Sequence, residues 1–178
     1  MVADQSEIPF VLQIVGDGVL RLHLEELAIS LGLSARVEFV GWVERTDIAS
    51  YYQSADIFVT ASVWEGMPNT VLEAMACGLP IIAAKAHGCE DLVRRGENGY
   101  LVPQRDVAAM AEAILYLLED GMERRRMGRV SRRIVEQTFA WDQIAAAYVG
   151  IYERIVGVSG SGGPDVSSGN RPRSRPAQ

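Results

Sequence analysis

Two glutamates, Glu65 and Glu73, are the residues whose type and spacing suggest chemistry most directly. In the stretch EGMPNTVLE that they bound, Gly66 and Pro68 indicate a loop, and the residues from Asn69 onward indicate a helix. Glu73 then falls in the first helical turn, where its carboxylate can accept hydrogen bonds from a bound ligand. The alternative is structural, because a glutamate in the first turn stabilises the helix dipole by itself, and glutamates at this spacing also occur by chance.

The beginning of this predicted helix is suited to bind an anion. The backbone N–H groups of Thr70, Val71 and Leu72 have no intrahelical acceptor at a helix start, and the helix dipole adds partial positive charge there. Asn69 is predicted to cap the helix, although one cap does not satisfy every donor. We therefore expect an anion site beside the two glutamates.

The elements that position these residues alternate between strands and helices. Apolar runs bounded by turn residues predict strands over 10–15, 35–41, 56–62, 79–84 and 99–103, the first of them buried. The first predicted helix carries Leu20, Leu24, Leu27 and Leu31 and ends before Gly32. Two more begin near Thr46 and Asn69, and another follows Asp106. The last two cover 122–137 and 141–156. This alternation indicates an α/β fold with a mainly parallel sheet, in which ligands bind at the carboxyl ends of the strands.

Composition limits the domain organisation and the classes of partner. The 178 residues are 48% hydrophobic and 22% charged, which supports one packed domain over 10–156 after a short leader over 1–9. Residues 157–178 are mostly Gly, Ser, Pro and Arg, and we expect a disordered tail there. A net charge of −6 argues against a nucleic-acid partner.

Cysteine usage and apolar patterning favour a cytoplasmic protein. Cys77 and Cys89 form no C-x-x-C pair, and we expect both to be reduced thiols. The leader lacks the basic and apolar regions of a signal peptide, and no apolar run approaches the ~20 residues of a membrane span. No His/Cys cluster has the spacing of metal ligands, so neither a metal nor a cofactor is expected.

The segment EGMPNTVLEAMACGLP (65–80) closely resembles the E-x7-E signature of glycosyltransferase family 4, whose members have the GT-B fold. The resemblance covers nearly everything from about residue 10 to 156. The other matching segments are IVGDG (14–18), RVEFVGWV (36–43), YYQSADIFVTAS (51–62), HGCEDLVRRGENGYLVPQRD (87–106) and FAW (139–141). The resemblance implies a Rossmann-like parallel sheet with flanking helices. It also implies that this domain is the carboxyl-terminal, donor-binding half of a retaining glycosyltransferase.

The resemblance also implies roles for individual residues. Glu73 would accept hydrogen bonds from the ribose hydroxyls of a nucleoside-diphosphate sugar, and Glu65 would lie beside the donor sugar as the catalytic residue. The amides of Asn69, Thr70 and Val71 would meet the diphosphate. The Gly-rich turn, the base pocket and the loop after the fourth strand supply the other implied donor-binding residues: Gly16 and Gly18; Val40, Gly41 and Trp42; His87 and Gly88.

The sequence departs from the family pattern at three positions. Val19 stands where a proline usually follows the Gly-rich turn, His87 replaces a glycine, and Cys89 replaces a proline. His87 could contact donor phosphate or sugar, or it could be a surface histidine without such a role. Glu90 matches a family glutamate, but it could also serve only to cap the short turn that contains it.

A further departure concerns the first strand of the family's donor domain, which ends in G-R-L and precedes a lysine. Nothing in residues 1–9 matches it, so we expect the usual first strand to be lacking and the strands over 10–15 and 56–62 to pair directly. The acceptor-binding half is not recognisable either. We therefore expect no sugar transfer by the chain alone, which would need a separate acceptor-domain chain.

Two other functions stay open at this point. One is a non-catalytic subunit that binds nucleotide sugars, or an inactive fragment. The other is a different GT-B enzyme such as a nucleotide-sugar epimerase, which would need additional acid and base residues that the sequence does not offer. No D-x-D pair is present to hold a metal-bound diphosphate, which is consistent with metal-independent transfer.

The arginine-rich stretch ERRRMGRVSRRIVE (123–136) is the remaining conspicuous segment. Met122, just before it, and Met127, Val130 and Ile134 give it an apolar side, which predicts a solvated amphipathic helix. The alternative is a peripheral contact with an anionic membrane, which would place the protein at the inner face of that membrane. Trp64 and Trp141 are interpreted as packing residues rather than sugar platforms.

Overall fold

The computed structural model describes residues 8–157 and confirms an α/β fold of parallel strands flanked by helices. The strands are β1 (Leu12–Val15), β2 (Val37–Gly41), β3 (Phe58–Thr60), β4 (Ile81–Ala84) and β5 (Gly99–Val102). The helices are α1 (Arg21–Ser30), α2 (Ile48–Ser54), α3 (Asn69–Ala76), α4 (His87–Leu92), α5 (Val107–Glu119), α6 (Gly121–Ile134) and α7 (Trp141–Val156). Most of the leader and all but Gly157 of the predicted tail lie outside the described residues.

Strand β4 is at the centre of the core. It pairs in parallel with β3 on one side and with β5 on the other, and its four residues are all buried. Ile81 and Ala83 face a cluster formed with helices α3, α4 and α6, whereas Ile82 faces a second cluster that includes Leu117 of α5. The alternation of side chains along a strand therefore places apolar layers on both faces of this sheet.

Strands β1 and β2 form a separate two-stranded parallel sheet, with Leu12 opposite Val37. The predicted direct pairing of β1 with β3 is wrong, because the two strands belong to different sheets. In the strand order of the resembled family, another strand lies between β1 and β3. Direct pairing would therefore require the β1–α1–β2 unit to shift toward β3 by one strand spacing, about 4.8 Å. Among the described residues, β1 and β3 each pair along one edge only.

The prediction that the first strand is buried is wrong for the same reason. Leu12 is 45% exposed and Val15 is 37% exposed. The apolar face of the neighbouring helix α1 is also uncovered, since all four of its predicted leucines are exposed. Burial of a strand depends on neighbouring elements that cover its faces, and the described residues supply too few of them here.

Helix ends match the predictions at some positions and differ at others. Gly32 and Gly78 follow helices α1 and α3 in left-handed conformation, and the Asp106 carboxylate accepts the N–H of Ala109 at the start of α5. Thr46 does not cap helix α2, since Asp47 precedes that helix and accepts the Thr46 hydroxyl. Helix α6 continues into a π-helical turn, Val135–Phe139, which extends two residues beyond the predicted 122–137 helix.

Helix α7 belongs to a second compact unit that begins at Ala140. None of its residues is buried, and the exposed aromatic side chains include Trp141, so the packing interpretation of this tryptophan is not confirmed. Trp64, in the first unit, is 90% exposed, and its interpretation as a packing residue is wrong. No helix within residues 8–157 is both long enough and apolar enough to cross a membrane.

Candidate functional site

Three loops meet at the carboxyl end of the β3–β4–β5 sheet, and one side chain joins them. Gln104, which follows β5, donates its Nε2 hydrogens to the carbonyl oxygens of Val63 and Lys85, each over 2.8 Å. Val63 follows β3 and Lys85 follows β4. Gln104 is not predictable from the sequence, because a single glutamine after a strand carries no recognisable signal.

Gly88 brings helix α4 against the loop that contains Glu65. The Gly88 N–H donates to the Glu65 carbonyl oxygen over 3.3 Å. A Cβ atom on Gly88 would stand 2.0 Å from the carbonyl oxygen of Gly66 and 2.8 Å from Cδ of Pro68, so only glycine permits this approach. The structure thus places the backbone of Gly88, at the start of α4, against the loop that contains Glu65.

We predict that Gly88→Ala lowers the free energy of unfolding by about 1–3 kcal/mol, since the added methyl must displace a backbone carbonyl. Chemical denaturation of both proteins measures this difference. Gly66→Ala is the matched control in the same loop, because its Cβ would meet no atom within 4 Å. Equal stabilities of Gly88→Ala and the control would contradict the close packing of α4 on this loop.

The start of helix α3 offers fewer free amides than predicted. Val71 and Leu72 both donate their N–H groups to the Pro68 carbonyl oxygen, over 3.1 and 3.2 Å, so the prediction that they are free is wrong. Asn69 is not the cap either, since Pro68 precedes the helix and Asn69 is its first residue. Within the described chain, the N–H groups of Asn69 and Thr70 have no acceptor and lie at an exposed helix end. These two amides remain available to an anion.

The Glu73 carboxylate is exposed, and the hydroxyl group of a buried tyrosine orients it. The Tyr52 hydroxyl donates to Oε2 of Glu73 over 3.0 Å, and Tyr52 is only 8% exposed. Burial and the hydrogen bond to Glu73 raise the pKa of Tyr52 far above its ordinary value. The hydroxyl therefore stays protonated and continues to donate at neutral pH, while Glu73 keeps its acceptor capacity toward solvent.

We predict that Tyr52→Phe removes this orientation at little cost to the core. Because one hydrogen bond is lost and the ring stays, the free energy of unfolding should fall by about 1 kcal/mol. Tyr51→Phe is the matched control, since the Tyr51 hydroxyl has no partner in the described part of the chain. Thermal or chemical denaturation of the three proteins tests this, and a Tyr52→Phe protein as stable as Tyr51→Phe would contradict it.

A second group of predicted residues lies at the carboxyl end of the β1–β2 sheet. Gly16 donates its N–H to the Gly41 carbonyl oxygen over 2.7 Å, and both glycines have positive φ angles, 125° and 82°. Arg21 closes this turn, since its Nη2 donates to the Phe39 carbonyl oxygen and its guanidinium pairs with Asp17 and Glu25. Gly18 lies in the same exposed turn, where its N–H donates to the Asp17 carboxylate.

The neighbouring predicted residues differ in exposure. Val40 is half-buried in strand β2, whereas the Trp42 side chain beyond the strand is 76% exposed. No hydrogen bond or ion pair in the described chain joins this β1–β2 group to Glu65, Asn69, Thr70, Glu73 or Gly88. The predicted site residues therefore form two groups, one on each sheet.

A cation that the sequence analysis did not single out lies at the end of β4. Lys85 is the only lysine in the chain, and its Nζ lies 3.3 Å from Oε1 of Glu90. Glu90 lies in the first turn of α4, so the pair joins the end of β4 to the helix that begins at His87. A sole lysine directly after a buried strand is the signal that could have drawn attention to it. Within residues 8–157 no group of three or more side chains could hold a metal ion.

Comparison with known proteins gives one family and several structural relatives. The sequence pattern described as Glycosyl transferases group 1 matches residues 1–134. The lipopolysaccharide core biosynthesis glycosyltransferase LpsE of Rhizobium meliloti is 33% identical over 138 residues, which are 78% of this chain and 40% of that protein.

Two solved structures share the fold. Sucrose-phosphate synthase from Thermosynechococcus elongatus has a TM-score of 0.78 and 34% identity, over 89% of this chain and 42% of that one. Anabaena HepE, solved in complex with UDP, has a TM-score of 0.75 and 28% identity, over 88% of this chain and 43% of that one. The chain thus spans about two fifths of the length of each of these relatives.

Proposed function

This chain belongs to the Glycosyl transferases group 1 family, and from that premise we propose that residues 10–156 bind a nucleoside-diphosphate sugar as the donor half of a retaining glycosyltransferase. The observation that carries the proposal is the arrangement around helix α3. An oriented carboxylate on Glu73 stands one helical turn from the free amides of Asn69 and Thr70. A carboxylate that accepts hydroxyls and amides that bind an anion suit the two parts of a nucleoside diphosphate.

Each residue then has a proposed role. Glu73 accepts hydrogen bonds from the ribose hydroxyls, and the amides of Asn69 and Thr70 bind the diphosphate. Val71, whose N–H is already used within the helix, contributes only buried packing. Glu65 lies beside the donor sugar as the catalytic residue, and His87 contacts the sugar or the phosphate.

The β1–β2 group supplies the remaining contacts in this proposal. The turn at Gly16 and Gly18 approaches the diphosphate, and the backbone from Val40 through Gly41 to Trp42 lines the base pocket. Gly88 acts by holding helix α4 against the Glu65 loop. Lys85, whose side chain is 62% exposed and paired with Glu90, exchanges this partner for the leaving diphosphate and balances part of its charge.

A separate acceptor-binding chain completes the enzyme in this proposal. The chain spans about two fifths of its relatives' length, and strands β1 and β3 each have an edge without a partner among the described residues. Unpaired backbone groups at such edges accept another strand readily. We propose that a strand supplied with the acceptor-binding part enters between them and joins the two groups of site residues into one.

Nucleotide binding is testable through the single lysine. An amine-specific reagent should label Lys85 and the amino terminus, and peptide mass analysis separates the two. We expect nucleoside diphosphates and nucleotide sugars to slow labelling of Lys85 and to release heat in a calorimetric titration, whereas the matching nucleosides do neither. UDP is the first ligand to test, since Anabaena HepE was solved with it. Absence of both effects across nucleotides of every common base would refute the proposal.

A further inference from the structure

Helix α6 carries an exposed row of four arginines, which we call the arginine face: Arg125, Arg129, Arg132 and Arg133. Three of them recur every four residues, so they lie above one another on one side of the helix. The opposite side is fixed in the core by Met127, Ser131 and Ile134, which are all buried. The rotation of the helix is therefore set by packing, and the arginine face points to solvent.

Most charges on this face have no partner, in contrast to the other arginines of α6. Arg124 donates to the Leu117 and Leu118 carbonyl oxygens, and Arg126 pairs with Glu123 over 2.6 Å. Arg132 pairs with Glu136 and donates to the Ala76 carbonyl oxygen. In the described structure, Arg125, Arg129 and Arg133 make neither a hydrogen bond nor an ion pair. Like charges at this spacing repel one another, and only Arg132 and Arg133, in the last turn, are favoured by the helix dipole.

The arginine face borders an open groove of about 550 Å³ that runs between α6 and Gly78. The acidic side chain in its lining is Glu136, which is already paired with Arg132. Gly78 precedes strand β4, whereas Lys85 and Gly88 follow it. The groove is thus at the amino end of β4, away from the proposed donor site at the carboxyl end.

We propose that the arginine face docks on the surface of an anionic phospholipid membrane. Four exposed guanidinium groups on one helix complement a plane of lipid phosphates, and each basic side chain near such a surface strengthens binding by about fivefold. Met122, 75% exposed, continues the row by one turn and offers an apolar contact at the headgroup level. The apolar side of α6 is buried in the protein, so the helix lies on the membrane without entering it.

The same observations disfavour nucleic acid as the occupant. Among residues 8–157, no aromatic side chain lines the groove, so the described chain offers bases no surface on which to stack. The chain as a whole carries a net charge of −6, whereas domains that bind nucleic acid are commonly strongly basic. Membrane docking would leave the donor site at the opposite end of β4 open to the cytoplasm.

Vesicle sedimentation with the 178-residue chain tests this proposal. Vesicles of equal parts phosphatidylglycerol and phosphatidylcholine should bind the chain, and vesicles of phosphatidylcholine alone should not. The triple variant R125Q/R129Q/R133Q should bind the anionic vesicles about a hundredfold more weakly, since three fivefold contributions are lost. Raising salt to about 0.5 M should release the wild-type chain as well.

The control R95Q/R105Q/R154Q removes the same charge at exposed positions outside α6 and should bind like the wild type. The triple lysine variant should also bind, because the interaction depends on charge rather than on guanidinium geometry. Equal losses in the glutamine and control variants would overturn the proposal. So would loss in the lysine variant, or tighter binding to a DNA duplex than to the vesicles under identical salt. Thermal denaturation checks that each variant is folded, and unchanged Lys85 labelling separates this result from donor binding.

Discussion

The 178-residue chain, purified alone and given a nucleoside-diphosphate sugar with an acceptor, is expected to show no glycosyl transfer above background. We propose that the fold of the described residues binds the donor, and the chain spans about two fifths of the length of the related proteins. In our proposal, the acceptor hydroxyl is held beside the anomeric carbon by a separate acceptor-binding chain. Positioning two reactants contributes about 7–11 kcal/mol to lowering a barrier, and most of that contribution is lost without the acceptor-binding part.

Mass spectrometric detection of the glycosylated acceptor measures this outcome, and a full-length transferase with the same donor and acceptor serves as the positive control. Added acceptor-binding chain should restore transfer if it supplies the missing half. Transfer that copurifies with the 178-residue chain and disappears in Glu73→Ala would contradict the account, because it would show that this part alone orients both substrates.

Glu73→Ala is expected to weaken nucleotide binding by roughly tenfold to over a hundredfold. Hydrogen bonds to a charged group contribute about 1.5–3 kcal/mol, and the carboxylate is the proposed acceptor of the ribose hydroxyls. Glu73→Asp should also weaken binding, since the shorter side chain retreats from the hydroxyls and from Tyr52. Calorimetric titration of each variant with the nucleotide that binds the wild type gives the affinities.

Glu119→Ala is the matched control for this measurement, because it removes one exposed carboxylate at the end of helix α5. It should leave nucleotide affinity unchanged. An affinity of folded Glu73→Ala equal to that of the control would remove Glu73 from the site. The nucleotide affinity of Tyr52→Phe should lie between the affinities of Glu73→Ala and Glu119→Ala, since Tyr52→Phe keeps the Glu73 carboxylate but loses the hydrogen bond that orients it.

Local patterns predicted much of the region around helix α3. Alternating apolar runs indicated the parallel strands β4 and β5, and Gly78 correctly marked the end of the helix. The first residue of the helix was mistaken, however, because Asn69 is a common capping residue and the contribution of the Pro68 carbonyl is invisible in the sequence. The backbone geometry just before the helix determines which amides stay free, and residue type constrains this geometry only loosely.

Contacts between distant segments were beyond the sequence analysis. Gly88 is required by the carbonyl of Gly66, and Gln104 joins loops that follow two other strands. Neither contact leaves a periodic pattern. The exposure of β1 was missed for a related reason, since an apolar run reveals a strand but not whether a neighbour covers it.

The central claim, that helix α3 and the adjacent loops bind the phosphates and ribose of a nucleotide, is tested most directly by mapping amide resonances. A ¹⁵N-labelled chain titrated with UDP should show its largest shifts at the amides of Asn69 and Thr70, with further changes at Glu73 and Gly88. The arginine face of α6 offers phosphate an alternative place to bind. Shifts confined to residues such as Arg129 and Arg133, with none between 65 and 73, would contradict the account.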